Sequence, residues 1–311
     1  MATDKKTVKS YNDYALKWQE RKRSGKNIAH MFLEKPAMYK KLPDLKGKPV
    51  LCVGCGTGEE CEYLKSLGAE KVFGVDISKD LVELAKKSYP GLEFFVMDME
   101  KLDFPKNSFD LVYSSLTMHY VEDWTKTLKS IHQVLKNDGV FLFSTHHPVK
   151  WGAKVKRSDE KDSFLMGYTK YKDGKCEVFG DYLNTRKIDD VWFNEFNVTY
   201  YHRSLSEIIG DILKNGFTIT DFIEPKPLAE VSKESENFYK IHDKIPLFMI
   251  FELKKEFAAN LPADSAFVAE ATSAKEAVST RARSSRFGSP ARKATHNVAG
   301  RDIFKQTHNT I

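Results

Sequence analysis

An α/β fold, with a mainly parallel sheet covered on both faces by helices, is what this sequence predicts. Three observations carry that expectation. The stretch Val50–Gly58 is an apolar run that passes into Gly54, Gly56 and Gly58 and then into Glu59, Glu60 and a helix-periodic segment. Short apolar strands then alternate with helical patterns, as in chains whose parallel strands are joined by crossover helices. The composition, 41% hydrophobic and 30% charged over 311 residues, supplies enough apolar side chains for a sizeable core.

Residues 7–41 read as helical, with Tyr11, Tyr14, Ala15 and Trp18 on one face and Pro43 ending the run. The first strand falls at about 49–54, and its following helix, 58–67, closes on Gly68. A second strand spans 71–75; Ser78 caps the next helix, Asp80 lies in its first turn, and Pro90-Gly91 follows its end. Strands at 92–97, 109–114 and 139–144 follow, with a helix at 124–135 before the last of them.

The rhythm breaks over 146–202. Here Phe164–Tyr171 and Cys176–Leu183 form a hairpin around Lys172-Asp173-Gly174-Lys175, and Val191–Tyr201 is one further extended segment with Trp192, Phe196, Val198 and Tyr200 on one face. A long aromatic insertion between regular elements reads as a lid over an active site. Ser204-Leu205-Ser206-Glu207 is a capping box that opens a helix closed by Gly216. Strands Phe217–Ile223 and Ile245–Leu253 complete the domain, assigned to 1–253. From 254 to 311 the chain shifts to Ala, Ser, Thr and Arg without sustained periodicity and reads as a disordered basic tail.

Ligand chemistry follows from the glycine spacing. A dinucleotide fingerprint needs glycines at offsets 0, 2 and 5, but the residue five after Gly54 is Glu59. No Gly-Lys-Ser/Thr follows, which excludes a phosphate-cradling loop. Asp76 ends the second strand, placed to accept both hydroxyls of a ribose. The unit therefore suits a nucleoside that carries something other than a pyrophosphate.

Bulk properties narrow the rest. The start, Met1–Lys6, lacks the apolar core of a signal peptide, and no apolar run approaches a membrane span, so the cytoplasm is the expected compartment. Cys52, Cys55, Cys61 and Cys176 make no disulfide framework; Cys52 and Cys55 form a C-x-x-C whose members read as small packing residues, and no metal site is expected. Net charge is +6, yet residues 254–311 hold ten Lys and Arg against five Asp and Glu, which leaves 39 against 38 for the rest. The folded part is nearly neutral, which disfavours a nucleic-acid partner.

The stretch Val50–Gly58, Asp76-Ile77, Met97-Asp98-Met99-Glu100, Phe109-Asp110-Leu111-Val112 and Leu135-Lys136-Asn137-Asp138-Gly139 together resemble the class I S-adenosylmethionine (SAM) methyltransferases. The similarity runs in order from Tyr11 to Leu253, departing at Cys52, where the family carries an acidic residue. It implies a Rossmann-like seven-stranded sheet of order 3-2-1-4-5-7-6, strand 7 antiparallel, under a helical cap (7–41). The cofactor would cross the point where strand order reverses, between strands 1 and 4. Gly54, Gly56 and Gly58 would pass its methionine and ribose parts, Asp76 the ribose hydroxyls, Ile77 and Met99 the adenine, and Asp98 the adenine amino group. Ser114 would offer its main-chain carbonyl to the methionine amino group, while Tyr11 and Tyr14 cap the methionine end or simply pack the cap on the sheet.

Neutral imidazole suits removal of a proton from an O- or N-acceptor. His119, on the loop after strand 4, is the candidate base, with packing of that loop as its structural alternative. His146 and His147 end strand 5 and point to opposite faces, so only one can line the pocket. Trp192 could face the sulfonium, and Tyr201 and Arg203 either bind the acceptor or anchor the lid. The loop Ser114–Tyr120 lacks the Asn/Asp-Pro-Pro-aromatic signature of amino-methylating nucleic-acid enzymes. The reading is thus methyl transfer from SAM to a small-molecule acceptor. Its rivals are a SAM-binding protein without turnover and a protein or RNA methyltransferase that docks through the basic tail.

Overall fold

The computed structural model describes residues 2–151, 155–156, 162–163, 167–178, 180–193 and 195–255. Strands β1 (Pro49–Val53), β2 (Lys71–Asp76), β3 (Glu93–Val96), β4 (Phe109–Ser114) and β5 (Leu135–His146) come first. Next is a hairpin of β6 (Arg186–Trp192) and β7 (Phe196–His202), and then β8 (Phe217–Ile223) and β9 (Phe248–Lys255). The main sheet has the order β8-β9-β5-β4-β1-β2-β3. Neighbours from β3 to β5 are parallel, whereas β9 runs antiparallel to both β5 and β8. This is the expected seven-stranded order, with the reversed strand where it was anticipated.

Helices α1 (Lys5–Asp13), α2 (Ala15–Arg23) and α3 (Lys35–Lys40) precede the sheet, and α4 (Glu59–Ser66), α5 (Lys79–Ser88), α6 (Trp124–Val134), α7 (Leu205–Lys214) and α8 (Glu236–His242) follow in turn. Alternation along the strands sends side chains to two separate cores. Leu51, Val53, Val112, Phe141 and Phe143 pack with Leu128 and Ile131 of α6 and Ile208 and Ile212 of α7. Val50, Cys52, Leu111, Tyr113 and Leu142 pack with Met38 of α3, Cys61 and Leu64 of α4 and Val82 and Ala85 of α5. Burial on both faces is why the central strands read as unbroken apolar runs. Cys52, at the family's acidic position, belongs to this second core, where Cys55 and Cys61 also lie buried as free thiols.

The local signals act as expected at the caps. Ser78 Oγ accepts from Leu81 N at the start of α5, and Ser204 Oγ accepts from Glu207 N at the start of α7. Two expectations are corrected. The 7–41 segment is not one run: α1 and α2 meet at Tyr14, Gly25 (φ 69°) breaks the path, and a single π-helical turn, His30–Glu34, leads into α3. The extended segment Val191–Tyr201 is in fact the β6–β7 hairpin, turned at Phe193 with φ 55°. A phenylalanine in the left-handed region gives no turn signal of the Gly or Asn kind, so the sequence reads through it. Trp192 pairs directly with Phe196 across that turn, which keeps Phe196, Val198 and Tyr200 beside it in one aromatic cluster with Tyr11, Tyr14 and Tyr120.

In the expected earlier hairpin, Tyr168–Lys170 pairs with Cys176–Val178, and Gly174 has φ 87° in the turn; positions 164–166 and 179 lie outside the described residues. The reading of the tail likewise lies outside them from 256 on.

Candidate active site

A cavity of about 860 Å³, mouth included, opens above the C-terminal ends of β1, β2 and β4, where strand order reverses. The expected cofactor residues Gly54, Gly56, Asp76, Ile77, Asp98, Met99 and Tyr11 line it. Gly58 does not line it, and packs instead against Phe94 and Tyr89. Ser114 is buried at the end of β4, and the next residues, Ser115, Leu116 and Thr117, form the wall. Tyr14 lines a separate surface groove with Lys17, Arg21 and Phe193; Trp18 is common to both spaces.

The glycine turn has two different reasons for its glycines. Gly54 and Gly56 have φ 71° and 55°, a region that L-residues enter at a cost. A Cβ on Gly54 would collide with the Thr117 side chain, so that glycine lets the loop after β4 approach the loop after β1. A Cβ on Gly56 would meet nothing within 4 Å, so that position keeps the cavity floor open. Between them, the two loops form the crevice.

Asp76 closes the turn. Its Oδ2 accepts from Gly56 N at 2.8 Å and its Oδ1 from Ser78 N at 2.9 Å, one backbone donor on each oxygen. Burial pushes the carboxyl above its ordinary range, opposed by those N–H donors. Each oxygen keeps a second lone pair for a ligand hydroxyl. Beyond it, Ile77, Leu81, Met97 and Met99 make an apolar slot, and Asp98 lies at its edge. Ala2 N donates to both Asp98 oxygens, at 3.0 and 3.2 Å, and Glu122 N donates to Ala2 O at 3.1 Å, so the chain's own start borders this slot.

The opposite end holds residues that sequence reasoning did not single out: Lys22, Asn27, His30, Ser115, Thr117 and Tyr120. The hydroxyls of Tyr11 and Tyr120 lie 2.7 Å apart, and burial raises both phenols above their ordinary value. Tyr11 also meets Trp18 and Phe196 edge-on, at 5.2 and 4.9 Å between ring centres.

His119 is not brought to this cavity. It lies with His146, His147, Tyr201 and Arg203 around a second, smaller space of about 360 Å³. Its ring stacks on that of His146 at 3.6 Å and abuts Tyr120 at 4.2 Å. His147 Nε2 sits 2.6 Å from Glu224 Oε1; burial holds this imidazole below its usual pKa despite the carboxylate. Arg203 donates to the carbonyls of Val121, at 3.0 Å, and Glu122. Trp192 stacks on Trp18 at 6.4 Å and lines neither space. Among the described residues no group of three or more His, Cys, Asp or Glu could hold a metal ion, and no helix is long and apolar enough to cross a membrane.

The family model for a methyltransferase domain matches residues 51–143, which run from β1 to β5. An uncharacterised protein of Haemophilus influenzae is 31% identical over 236 residues, covering 72% of this chain and 88% of its own. A crystal structure of a SAM-dependent methyltransferase from Mesorhizobium loti superposes with a TM-score of 0.58 at 28% identity, covering 71% of this chain and 96% of that one. This chain belongs to the SAM-dependent methyltransferases. A zebrafish mitochondrial protein named as the arginine-hydroxylase NDUFAF5 is also similar, 44% identical over 92 residues, but the match spans only 30% of this chain and 29% of that protein.

SAM is therefore the cofactor of this methyltransferase, and the residues present fit it. A carboxylate with free lone pairs at the strand tip suits the ribose, the Ile77–Met99 slot suits the purine, and the open floor at Gly56 leaves room for the substituent between the two ends.

Proposed function

We propose that this methyltransferase acts on a small-molecule acceptor held in the same cavity, beneath the N-terminal helices and beside the turn after β4. One observation carries the reading. The acceptor side is walled by Tyr11, Trp18 and Tyr120, backed by Phe196 of the β6–β7 hairpin, and so is a recess rather than an open channel. A recess of this kind admits a compact ligand and excludes a folded partner's surface.

Bound there, SAM supplies an electrophilic methyl on a positively charged sulfur. The protein's part is to hold and align. Asp76 grips the ribose and, through Gly56 N, fixes the floor beneath it. Thr117, packed against Gly54, sets the wall against which an acceptor would rest. The faces of Tyr11, Trp18 and Tyr120 stabilise a nearby cation and keep water away, and alignment with exclusion of water is a large part of such catalysis.

Transfer of radiolabelled methyl to a panel of small metabolites tests the reading, with the full chain compared with one ending at Lys255. A small-molecule enzyme keeps its rate and its indifference to salt after truncation. An enzyme that docks a macromolecule through the basic tail loses affinity and salt dependence together.

A further inference from the structure

The polar groups on the acceptor side of the cavity are of two kinds, committed and spare. Ser115 Oγ donates to Glu34 Oε1 at 2.9 Å and Thr117 Oγ1 to Ser115 O at 2.9 Å, so both hydroxyl protons are already given. Lys22 Nζ turns to Glu60 at 2.8 Å and Glu59 at 3.6 Å, both in the first turn of α4. His30 Nε2 lies 3.3 Å from Glu34 Oε2 and from Glu60 Oε1, so that nitrogen is held between two carboxylates. The other nearby imidazole, His119, lies behind the ring of Tyr120 and lines the second space instead.

The phenol pair differs. Tyr11 and Tyr120 both line the cavity, with their hydroxyls 2.7 Å apart. One O–H is used between them. Whichever tyrosine gives it, the other O–H remains, and among the described residues no further partner takes it. Burial raises both phenols, and the carboxylate of Asp76 raises them further, joined at Tyr120 by that of Asp190. Both stay protonated at neutral pH and serve as donors, not as bases.

We infer, resting on the small-molecule reading above, that the methyl acceptor is a carboxylate seated on the spare O–H of the Tyr11–Tyr120 pair and that it leaves as a methyl ester. An alcohol or an ammonium must shed a proton to react, and among the described residues the acceptor side presents no group placed to take one. A carboxylate has lost its proton well below neutral pH. One of its oxygens accepts from the phenol, while the other forms a bond to the methyl carbon as the carbon–sulfur bond breaks. The bonding pair stays on sulfur, the sulfonium becomes a neutral thioether, and no proton is released. The surroundings suit an anion too. Trp18 lines both the cavity and the neighbouring surface groove. In that groove Lys17 is paired with Glu195 at 3.2 Å, which leaves Arg21, 3.8 Å over the Phe193 ring, and Lys26 against Glu20. A net positive rim draws anions toward it.

Two measurements test the assignment. The first is titration calorimetry in saturating S-adenosylhomocysteine, comparing aliphatic and aromatic carboxylic acids with their primary amides. The tightest acid should exceed its amide by about 10- to 100-fold, the range of a hydrogen bond to a charged group. Tyr11→Phe with Tyr120→Phe should erase that preference; each single variant keeps one O–H and should retain most of it. Replacing both partners of a hydrogen bond by apolar groups of the same shape is close to neutral for folding. The second measurement needs no variant: radiolabelled methyl is offered from SAM to the same acids and to matching alcohols and amines. Mild alkali should release the label as volatile methanol, as it does from methyl esters, whereas ethers and methylamines retain it. Label that resists alkali, a wild type that binds acids and amides equally, or a double variant that still discriminates overturns the inference and leaves the small-molecule reading standing. A protein that binds S-adenosylhomocysteine yet labels no small molecule overturns both.

Discussion

Asp76→Asn separates the structural from the ligand-binding duty of the strand tip. In the wild type each carboxylate oxygen accepts one backbone N–H, from Gly56 at 2.8 Å and Ser78 at 2.9 Å. An asparagine offers one oxygen and one NH₂, so one of those N–H groups faces another donor. Losing a charged hydrogen bond costs about 1.5–3 kcal/mol and leaving a buried donor unmet about 1–3 more. Relief from burying a carboxylate, whose pKa burial already raises, offsets part of this. The net expectation is a loss of about 2–4 kcal/mol, seen as a fall in Tm of roughly 5–15 °C for a domain of this size. The ribose loses its anionic acceptor as well, so affinity for S-adenosylhomocysteine should drop about 100-fold. Thermal unfolding with and without that ligand reads both. At 100 times its Kd the ligand adds about 2.7 kcal/mol to the wild type, and at the same concentration it should add only a few tenths to the variant. An unchanged Tm together with an undiminished ligand shift would refute the role given to Asp76.

Three further expectations follow from other parts of the site. Gly56→Ala should lose about 1–2 kcal/mol from its left-handed φ alone, and Gly54→Ala should lose about 2–5 because overpacking against Thr117 adds to the same strain; urea unfolding measures both, and Thr117→Ser should restore part of the Gly54→Ala loss. Arg203→Met should destabilise by about 2–4 kcal/mol through the orphaned carbonyls of Val121 and Glu122, with S-adenosylhomocysteine affinity unchanged, because the anchor is outside the cofactor cavity. Burial depresses the imidazole pKa of His132 and His202, so the unfolded chain binds their protons first. Stability is then full above the unfolded value of about 6.5 and is lost as pH falls from there toward the folded values; urea midpoints at pH 7.5, 6.5 and 5.5 should show this slope, lessened in His202→Gln.

How much of this was legible depends on which residues carried local signals. Central strands buried on both faces, the caps at Ser78 and Ser204 and the glycine turn are written in adjacent residues, so β1, β2, α5 and α7 fell close to their expected places. Asp76 and Asp98 could be placed because strand tips have fixed positions in this topology. The hairpin turn at Phe193 was hidden because a bulky residue bears the positive φ. His119 was nearest the methyl by topology, but the 3₁₀ turn Met118–Tyr120 sends Tyr120 into the cavity and His119 behind it. Lys22 and His30 were missed because a cation in the charged helix α2 looks solvated, and only the fold of α2 over α4 brings Glu60 to meet it. The contact of Ala2 with Asp98 spans 96 positions and has no sequence signature.

The claim on which the rest depends is that the crevice between the turns after β1 and β4 holds a sulfonium nucleoside. Calorimetric titration of the full chain with SAM tests it most directly. The account expects saturable binding of one equivalent, competed by S-adenosylhomocysteine and greatly weakened in Asp76→Asn. An absence of heat at millimolar SAM, or binding indifferent to Asp76→Asn, would contradict it.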